Sequence, residues 1–210
     1  MSKLVLIGGG GHCKSVLDSA LAMNKYTEIV ITDPEINPGT EVLGCTVVGN
    51  DDILPELRSQ GFDEAFITVG SIESCSLRIR LSELVEQLGF IFSVISDPTA
   101  VISKNAVIGN GTFVGKNAVI NADVSIGKHS IINTGAIIEH ECSVGEYCHI
   151  SVGSLICGGT VIGDRSFIGT GTTVIQGLRI GDDSIIGAGS TVLSDVQSGK
   201  IIHGIIHGEN

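Results

Sequence analysis

Basic residues are scarce in this sequence, and long apolar runs are missing. Its 210 residues include 12 lysines and arginines against 23 acidic residues, and the net charge of −11 argues against nucleic acid and anionic membranes as partners. Mean hydropathy is positive, at +0.39. However, no apolar run approaches the ~18 residues of a membrane-spanning helix. The first residues lack the charged and apolar segments of a signal peptide, so we expect a cytoplasmic protein.

No Cys-x-x-Cys pair occurs among the six cysteines, so the ligand spacing typical of zinc sites is missing. We expect Cys13, Cys45, Cys75 and Cys157 to be free thiols in a reducing compartment. The other two cysteines, at positions 142 and 148, occupy a small-residue position of the repeat described below. The sequence therefore predicts neither a metal site nor a disulfide framework.

Aromatic residues make up only 4% of the sequence, and both they and helical periodicity become rare after residue 96. A chain of this length is long enough for two domains, each with its own core. We therefore predict a boundary near residue 96, with an α/β domain over residues 1–96 and a different architecture over residues 97–210.

The second domain is dominated by a six-residue repeat. Every sixth residue from Ile102 to Val192 is isoleucine or valine, and the residue two places earlier is small except at Val124 and Leu178. Glycine, asparagine and aspartate recur at the remaining positions, where they permit tight turns. A short strand and a corner every six residues predict a parallel β-helix, in which three units close one coil and successive coils stack about 4.8 Å apart.

The first domain opens as a Rossmann-like unit. An apolar run over residues 4–7 leads into a glycine-rich turn and then a helical pattern, and a second apolar run over residues 28–32 ends at Asp33. Backbone N–H groups at a helix N-terminus can bind phosphate, so Gly10 and Gly11 are candidate nucleotide contacts. Asp33 could accept a hydrogen bond from a ribose hydroxyl or a base. The alternative is an ordinary tight turn, since Cys13 replaces the third glycine of the dinucleotide fingerprint.

Residues 64–69 predict a third strand that closes on Gly70 and Ser71. Its carboxyl end would lie beside the glycine-rich loop, where open α/β sheets bind ligands. Leucines and a valine at helical spacing predict a helix over residues 77–88, and a short strand follows over residues 90–95. The domain is small for a complete dinucleotide-binding fold, and we predict a truncated one.

One corner of the repeat, Glu139-His140-Glu141, breaks the turn pattern, and such departures are expected at functional sites. An imidazole suits proton removal near neutral pH, and an adjacent carboxylate can orient the ring. His140 is therefore a candidate general base, although a solvated polar corner is the alternative. Gly158 lies eighteen residues later and should stack one coil away, which makes its N–H a candidate oxyanion donor.

His149 lies half a coil from His140, so within one chain the two side chains belong to different sides of the β-helix. They can converge only if β-helices pack side by side. This arrangement predicts a homotrimer with active sites between subunits.

The glycine-histidine loop, the truncated nucleotide domain, the repeat and the segments 139–142 and 149–151 together resemble the bacterial sugar O/N-acyltransferases with hexapeptide repeats. That family includes N-acetyltransferases of nucleotide-linked amino sugars of the bacillosamine and perosamine type, and sialic acid O-acetyltransferases. The resemblance implies a left-handed β-helix and acetyl-CoA as the donor, bound between adjacent β-helices. It also implies His140 as base, Glu141 as its orienting partner, His149 and Gly158 near the acetyl group, and nucleotide-sugar contacts from Gly10, Gly11, His12 and Asp33. The tail at residues 204–207 departs from the family's usual Gly-x-Pro-Ala.

We therefore predict acetyl transfer from acetyl-CoA to the 4-amino group of a nucleotide-linked amino-dideoxy sugar. O-acetylation of a sugar hydroxyl, as in sialic acid, is the close alternative because the same groups serve both reactions. A zinc site of the γ-carbonic anhydrase type would need three converging histidines, and the spacing of the histidines does not provide them. An ice-binding surface would need an outward threonine or serine array, and a dehydrogenase would need a second catalytic domain.

Overall fold

A computed structural model describes residues 2–71 and 74–207. The chain divides into two compact units, of which the first ends at Pro98 and the second continues from Thr99. Among the described residues no helix is long and apolar enough to cross a membrane.

The first unit is an α/β domain with α-helices interspersed among its strands. The helix that follows the glycine-rich turn buries Val16, Leu17 and Ala20 along one side, as the helical spacing of these residues predicts. A turn of 3₁₀ helix covers Asp51–Ile53. The elements are β1 (Ser2–Ile7), α1 (Gly11–Ala22), β2 (Tyr26–Thr32), β3 (Glu41–Val42), β4 (Cys45–Gly49), α2 (Leu54–Ser59), β5 (Phe62–Ile67), α3 (Ser76–Gln87), β6 (Ile91–Phe92) and β7 (Ile95–Ser96).

The sheet of this unit has the order β3-β4-β2-β1-β5-β6. All its neighbours pair in parallel except β3 and β4, which form an antiparallel hairpin. The carboxyl ends of β2, β1 and β5 therefore lie at one edge. There Gly8 N–H donates to the Thr32 carbonyl at 2.8 Å, and Thr68 N–H donates to the Ile7 carbonyl at 2.8 Å. This edge positions the glycine-rich loop.

Several elements of the first unit differ from the sequence-based expectation. The hairpin of β3 and β4 and the helix α2 were not predicted. The hairpin turn is formed by Leu43 and Gly44, both at positive φ (48° and 79°), and leucine there gives no recognisable turn signal. The strand predicted over residues 90–95 is instead two short strands, β6 and β7.

The second unit is a parallel β-helix built from two-residue strands. Strands three apart along the chain pair in parallel and in register, so that Ile132 pairs with Ile150 and Ile150 with Ile168. The strands are β8 (Val101–Ile102), β9 (Val107–Ile108), β10 (Phe113–Val114), β11 (Val119–Ile120), β12 (Ser125–Ile126), β13 (Ile131–Ile132), β14 (Ile137–Ile138), β15 (Ser143–Val144), β16 (His149–Ile150), β17 (Leu155–Ile156), β18 (Val161–Ile162), β19 (Phe167–Ile168), β20 (Thr173–Val174), β21 (Arg179–Ile180), β22 (Ile185–Ile186), β23 (Thr191–Val192), β24 (Ile201–Ile202) and β25 (Ile205–Ile206).

The three faces of the β-helix are three parallel sheets. The first contains β10-β13-β16-β19-β22-β24, the second contains β8-β11-β14-β17-β20-β23-β25, and the third contains β9-β12-β15-β18-β21. The aliphatic residues of the repeat form its core, and all of them are buried except Ile102 and Ile108, which are half-buried. The small residues two places earlier also face inward, and many of their hydroxyls satisfy backbone carbonyls. Ser130 Oγ, for example, donates to the Gly145 carbonyl at 2.9 Å.

Replacing Ile150 by alanine is expected to destabilise the β-helix by about 2–5 kcal/mol, because the cavity lies between two fully packed neighbours in the same column. Ile150 has no exposed surface. Chemical denaturation measures this change. The matched control is Val107→Ala, since Val107 is 66% exposed and its loss should cost no more than about 0.5 kcal/mol. Equal losses for the two variants would contradict the assignment of the interior column.

Candidate active site

The corner between β14 and β15 presents the candidate base. Glu141 has left-handed backbone (φ 59°), and its N–H donates to the Ala122 carbonyl of the preceding coil at 3.0 Å. His140 Nδ1 lies 3.1 Å from Glu141 Oε2. Because a carboxylate only accepts hydrogen bonds, Nδ1 carries a proton in this contact, and in a neutral ring the lone pair is therefore on Nε2. The side chains of His140 and Glu141 are 62% and 71% exposed, so Nε2 is accessible to an acceptor substrate.

The second carboxylate of the corner has a structural partner in the coil before it. Asn121 Nδ2 donates to Glu139 Oε2 at 3.0 Å, and the His140 N–H also points at that oxygen at 3.3 Å. Asn121 precedes Glu139 by one full coil, and it stands where the repeat favours glycine. Sequence reasoning did not single out Asn121 as a site residue. The sequence feature that could have identified Asn121 is its position, one coil before the irregular corner.

Gly158 lies against the ring of His140. Gly159 N–H donates to the His140 carbonyl at 2.9 Å, which puts the two coils in register. A Cβ at position 158 would lie 2.6 Å from His140 Cε1 and 2.7 Å from Nε2, so only glycine leaves room for the ring. Within the described part of the chain, the Gly158 N–H donates no backbone hydrogen bond.

His149 lies on a different face of the β-helix, in β16 of the first sheet. Its Nε2 is 3.3 Å from Asn133 Nδ2, and its ring meets Phe167 edge-on with centroids 5.2 Å apart. Thr134 N–H donates to Asn133 Oδ1 at 2.8 Å, which orients the Asn133 amide. These contacts fix the imidazole of His149 at the outer surface of its sheet.

The glycine-rich loop opens α1. Gly10 is the N-terminal capping residue, and no side chain caps the helix there. A Cβ added at Gly10 or Gly11 would meet nothing within 4 Å, and both residues are exposed. A Cβ at Gly70 would lie 3.8 Å from His12 Cβ, so the loop after β5 approaches the start of α1. The helix N-terminus is thus open to an anionic group.

The residues around this loop are held by hydrogen bonds. Asp33 accepts from the Gly9 N–H, and Ser71 Oγ accepts from Arg78 Nη1 at 3.2 Å. Cys13, at the third position of the glycine fingerprint, is fully buried. Burial raises the pKa of its thiol to about 11, so Cys13 is a neutral packing residue where close helix–strand contact normally calls for glycine.

All six cysteines are free thiols. Burial raises the pKa of the Cys142 thiol next to the candidate base, so this group stays protonated and is a poor nucleophile. Among residues 2–71 and 74–207 no group of three or more histidine, cysteine, aspartate or glutamate side chains could hold a metal ion. An imidazole oriented by a carboxylate, as at this corner, is suited to proton transfer.

Two family models match the chain. One describes the PglD N-terminal domain and matches residues 3–85. The other describes the six-repeat bacterial transferase hexapeptide and matches residues 105–140 and 159–194. The fold and these matches define a hexapeptide-repeat transferase with a left-handed β-helix, as the family resemblance implied. No curated protein sequence matches the chain.

Solved structures resemble the whole chain. A histidine-to-alanine variant of GDP-perosamine N-acetyltransferase from Caulobacter crescentus, in complex with CoA and GDP-perosamine, is 38% identical over 97% of this chain and 94% of that chain, with a TM-score of 0.89. The acetyltransferase domain of PglB from Neisseria gonorrhoeae, in complex with acetyl coenzyme A, is 34% identical over 96% of each chain, with a TM-score of 0.89. WeeI from Acinetobacter baumannii shares the fold at 23% identity over 97% of each chain, with a TM-score of 0.85.

The chain belongs to the hexapeptide-repeat sugar acyltransferases with a PglD-type N-terminal domain. It is an acyltransferase, which confirms the family resemblance and the enzyme class predicted from the sequence.

Replacing Gly158 by alanine is expected to displace the His140 ring and lower kcat by about 10- to 100-fold, because small misplacements of a catalytic group have effects of this size. The β-helix should stay folded, since Gly158 is not at positive φ. Steady-state kinetics and the melting temperature test this expectation. Ser143→Ala, at an exposed position just after the corner, is the control. Full activity of Gly158→Ala would show that the ring needs no contact with this coil.

Proposed function

We propose that this protein transfers the acetyl group of acetyl-CoA to the amino group, at C4, of a nucleotide-linked amino-dideoxy sugar. The observation that carries the proposal is the imidazole of His140, whose Nδ1 lies 3.1 Å from a carboxylate while its ring lies against Gly158. The names of the relatives support it, since they include a perosamine N-acetyltransferase with CoA and GDP-perosamine and an acetyltransferase domain with acetyl coenzyme A.

The reaction needs one proton acceptor and a place for negative charge. The neutral amine attacks the thioester carbonyl carbon, and a C–N bond forms while the carbonyl oxygen gains negative charge. His140 Nε2 takes the proton from nitrogen, and Glu141 stabilises the imidazolium. The Gly158 N–H is the donor proposed for the oxyanion. The carbon–sulfur bond then breaks. The CoA thiolate takes that proton from His140 and leaves as the thiol. His149 is proposed to lie near the acetyl group.

Residues 1–96 are proposed to bind the nucleotide-sugar, and residues 97–210 to perform acyl transfer. The diphosphate would bind at the N-terminus of α1, where no side chain caps the helix and where a Cβ at Gly10 or Gly11 would meet nothing within 4 Å. His12 and Asp33 belong to the same loop region, and Gly70 approaches it from the end of β5. Ser71, next to Gly70, is the last residue of the proposed nucleotide-sugar site.

We propose a homotrimer in the cytoplasm with the active site between subunits. The outward positions of the first two faces are mostly apolar, with Phe167, Ile137 and Leu155 among them. The third face is more mixed, with Val107, Ser125, Ser143, Val161 and Arg179 at these positions. Apolar faces are suited to pack against neighbouring copies. Because His140 and His149 belong to different faces, packing of two copies would let the histidine of one approach the corner of the other.

His140→Ala is expected to lower kcat by about 10²- to 10⁴-fold, the range for loss of a general base. KM for acetyl-CoA should change little, because the imidazole acts on the amine proton. A steady-state assay that detects free CoA measures both parameters, and the circular dichroism spectrum checks folding. Glu141→Gln should give a smaller loss of kcat, with Glu146→Gln, at an exposed position of the next corner, as its control. Unchanged kcat in His140→Ala would remove the base assignment.

Purified protein is expected to acetylate UDP-, dTDP- or GDP-linked 4-amino sugars with release of CoA, and to leave sialic acid unchanged. The amine is the better nucleophile once deprotonated, and the diphosphate provides an anion for the helix N-terminus. Mass spectrometry of the products detects the added acetyl group and distinguishes an amide from an ester linkage. Acetylation of sialic acid without any reaction on the amino sugars would replace this proposal with O-acetylation.

A further inference from the structure

Asp33, at the carboxyl end of β2, connects three loops of the first unit. Its Oδ2 accepts from the Gly9 N–H of the glycine-rich loop at 2.6 Å. Its Oδ1 accepts from the N–H groups of Glu35 and Ile36 at 2.8 and 3.2 Å. Its own N–H donates to the Gly49 carbonyl at the end of β4 at 2.8 Å. The carboxylate therefore ties the loop after β1 to the loop after β2, beside the end of β4.

The hydrogen-bonding capacity of this carboxylate is largely used within the protein. A carboxylate has about four lone-pair positions, and three N–H groups occupy both oxygens of Asp33. Little is left for a ribose hydroxyl or a base, which was the role expected from the sequence. The negative charge also lies in the loop region proposed to bind a diphosphate, and a through-space effect of that charge would oppose binding.

Packing at Gly9 acts together with these hydrogen bonds. A Cβ at Gly9 would lie 2.6 Å from Ile36 Cδ1 and 3.4 Å from Asp33 Oδ2. The start of the glycine-rich loop therefore packs closely against the turn at residues 35–36, whose N–H groups donate to Asp33. The next two glycines, in contrast, have open space around them. The first part of the loop is held in place while the part that opens α1 stays accessible.

We infer that Asp33 is a positioning residue that shapes the phosphate-binding loop, and that it does not bind the nucleotide directly. This inference rests on the proposed function, because it assumes that the loop binds a nucleoside diphosphate. Asp33 holds the Gly9 N–H and the 35–36 turn in one arrangement, so that the following N–H groups at the start of α1 face the diphosphate. The entropy of ordering this loop is then lost on folding and not on ligand binding.

Asp33→Asn tests the inference, with UDP and GDP as probes in calorimetric titrations of the full-length protein. The amide keeps one acceptor oxygen but turns an NH₂ group toward donors that need an acceptor. We expect the affinity to fall about tenfold, the effect of one charge-assisted hydrogen bond. Removal of a negative charge would by itself strengthen anion binding. Weaker binding of the variant would therefore indicate that the loop has lost its arrangement. The control is Asp52→Asn, an equal charge change at an exposed residue that accepts only from Asn50 among the described residues, with affinity expected within about twofold.

Deoxynucleotides separate positioning from direct contact with the ribose. The affinity ratio of the original protein to Asp33→Asn should be the same for UDP or GDP and for their 2′-deoxy and 3′-deoxy forms, because a positioning residue does not touch the ribose. A ratio that falls to one with either deoxy form would make Asp33 a ribose ligand and overturn the inference. Unchanged affinity of Asp33→Asn for every probe would overturn it as well.

Hydrogen exchange without ligand provides an independent readout. The amides of Gly9, Glu35 and Ile36 should exchange faster in Asp33→Asn and remain unchanged in Asp52→Asn. If Asp33→Asn does not fold, Gly9→Ala replaces it, since the added methyl would lie against Ile36 Cδ1 and Asp33 Oδ2 and leaves the carboxylate charge intact; it should weaken UDP or GDP binding to a similar extent. Should the original protein bind none of UDP, GDP and dTDP, the proposed nucleotide site fails and the inference with it. Binding by the original protein with unaltered exchange in Asp33→Asn refutes the inference alone.

Discussion

Closure of the backbone after eighteen residues is the constraint on which the β-helix and its candidate site depend. Each coil returns in register with the one before it, about 4.8 Å away, as the pairing of Ile132, Ile150 and Ile168 shows. The aliphatic columns stabilise this register, because a slip by one residue would turn every column toward solvent. The same register brings Gly158 against His140, so the geometry of the corner follows from the packing of the core.

The corner also shows how the repeat accommodates a departure from its own pattern. Glu141 adopts left-handed backbone at φ 59°, which costs a residue other than glycine on the order of 1 kcal/mol. Its N–H donates to the Ala122 carbonyl of the preceding coil, and Asn121 of that coil holds the carboxylate of Glu139. The result is an exposed imidazole whose Nδ1 has a carboxylate partner, on a scaffold that does not need to move.

In the first unit, hydrogen bonds between loops hold the candidate site in place. Its parallel sheet brings the loops after β1, β2 and β5 to one edge, and a dense set of hydrogen bonds fixes them there. Asp33 contributes three of these bonds as acceptor, and Cys13 gives the close packing normally provided by glycine. The start of α1 differs, because its N-terminal capping residue, Gly10, provides no side-chain cap. Rigid surroundings and an open helix N-terminus together suit anion binding.

Periodic features of this protein were determined by the sequence alone. The six-residue period identified the β-helix, its interior column and the stacking of Gly158 one coil from His140, since position in a repeat depends only on counting residues. The Rossmann-like opening followed from the glycine-rich turn between two apolar runs. Only the tertiary structure decided the partners of Asp33, the contact between Asn121 and Glu139, and the hairpin of β3 and β4. The hairpin has a short turn that gives no sequence signal. The other contacts join residues far apart in the chain, such as Gly9, Asp33 and Gly49, and no local sequence pattern indicates that folding brings them together.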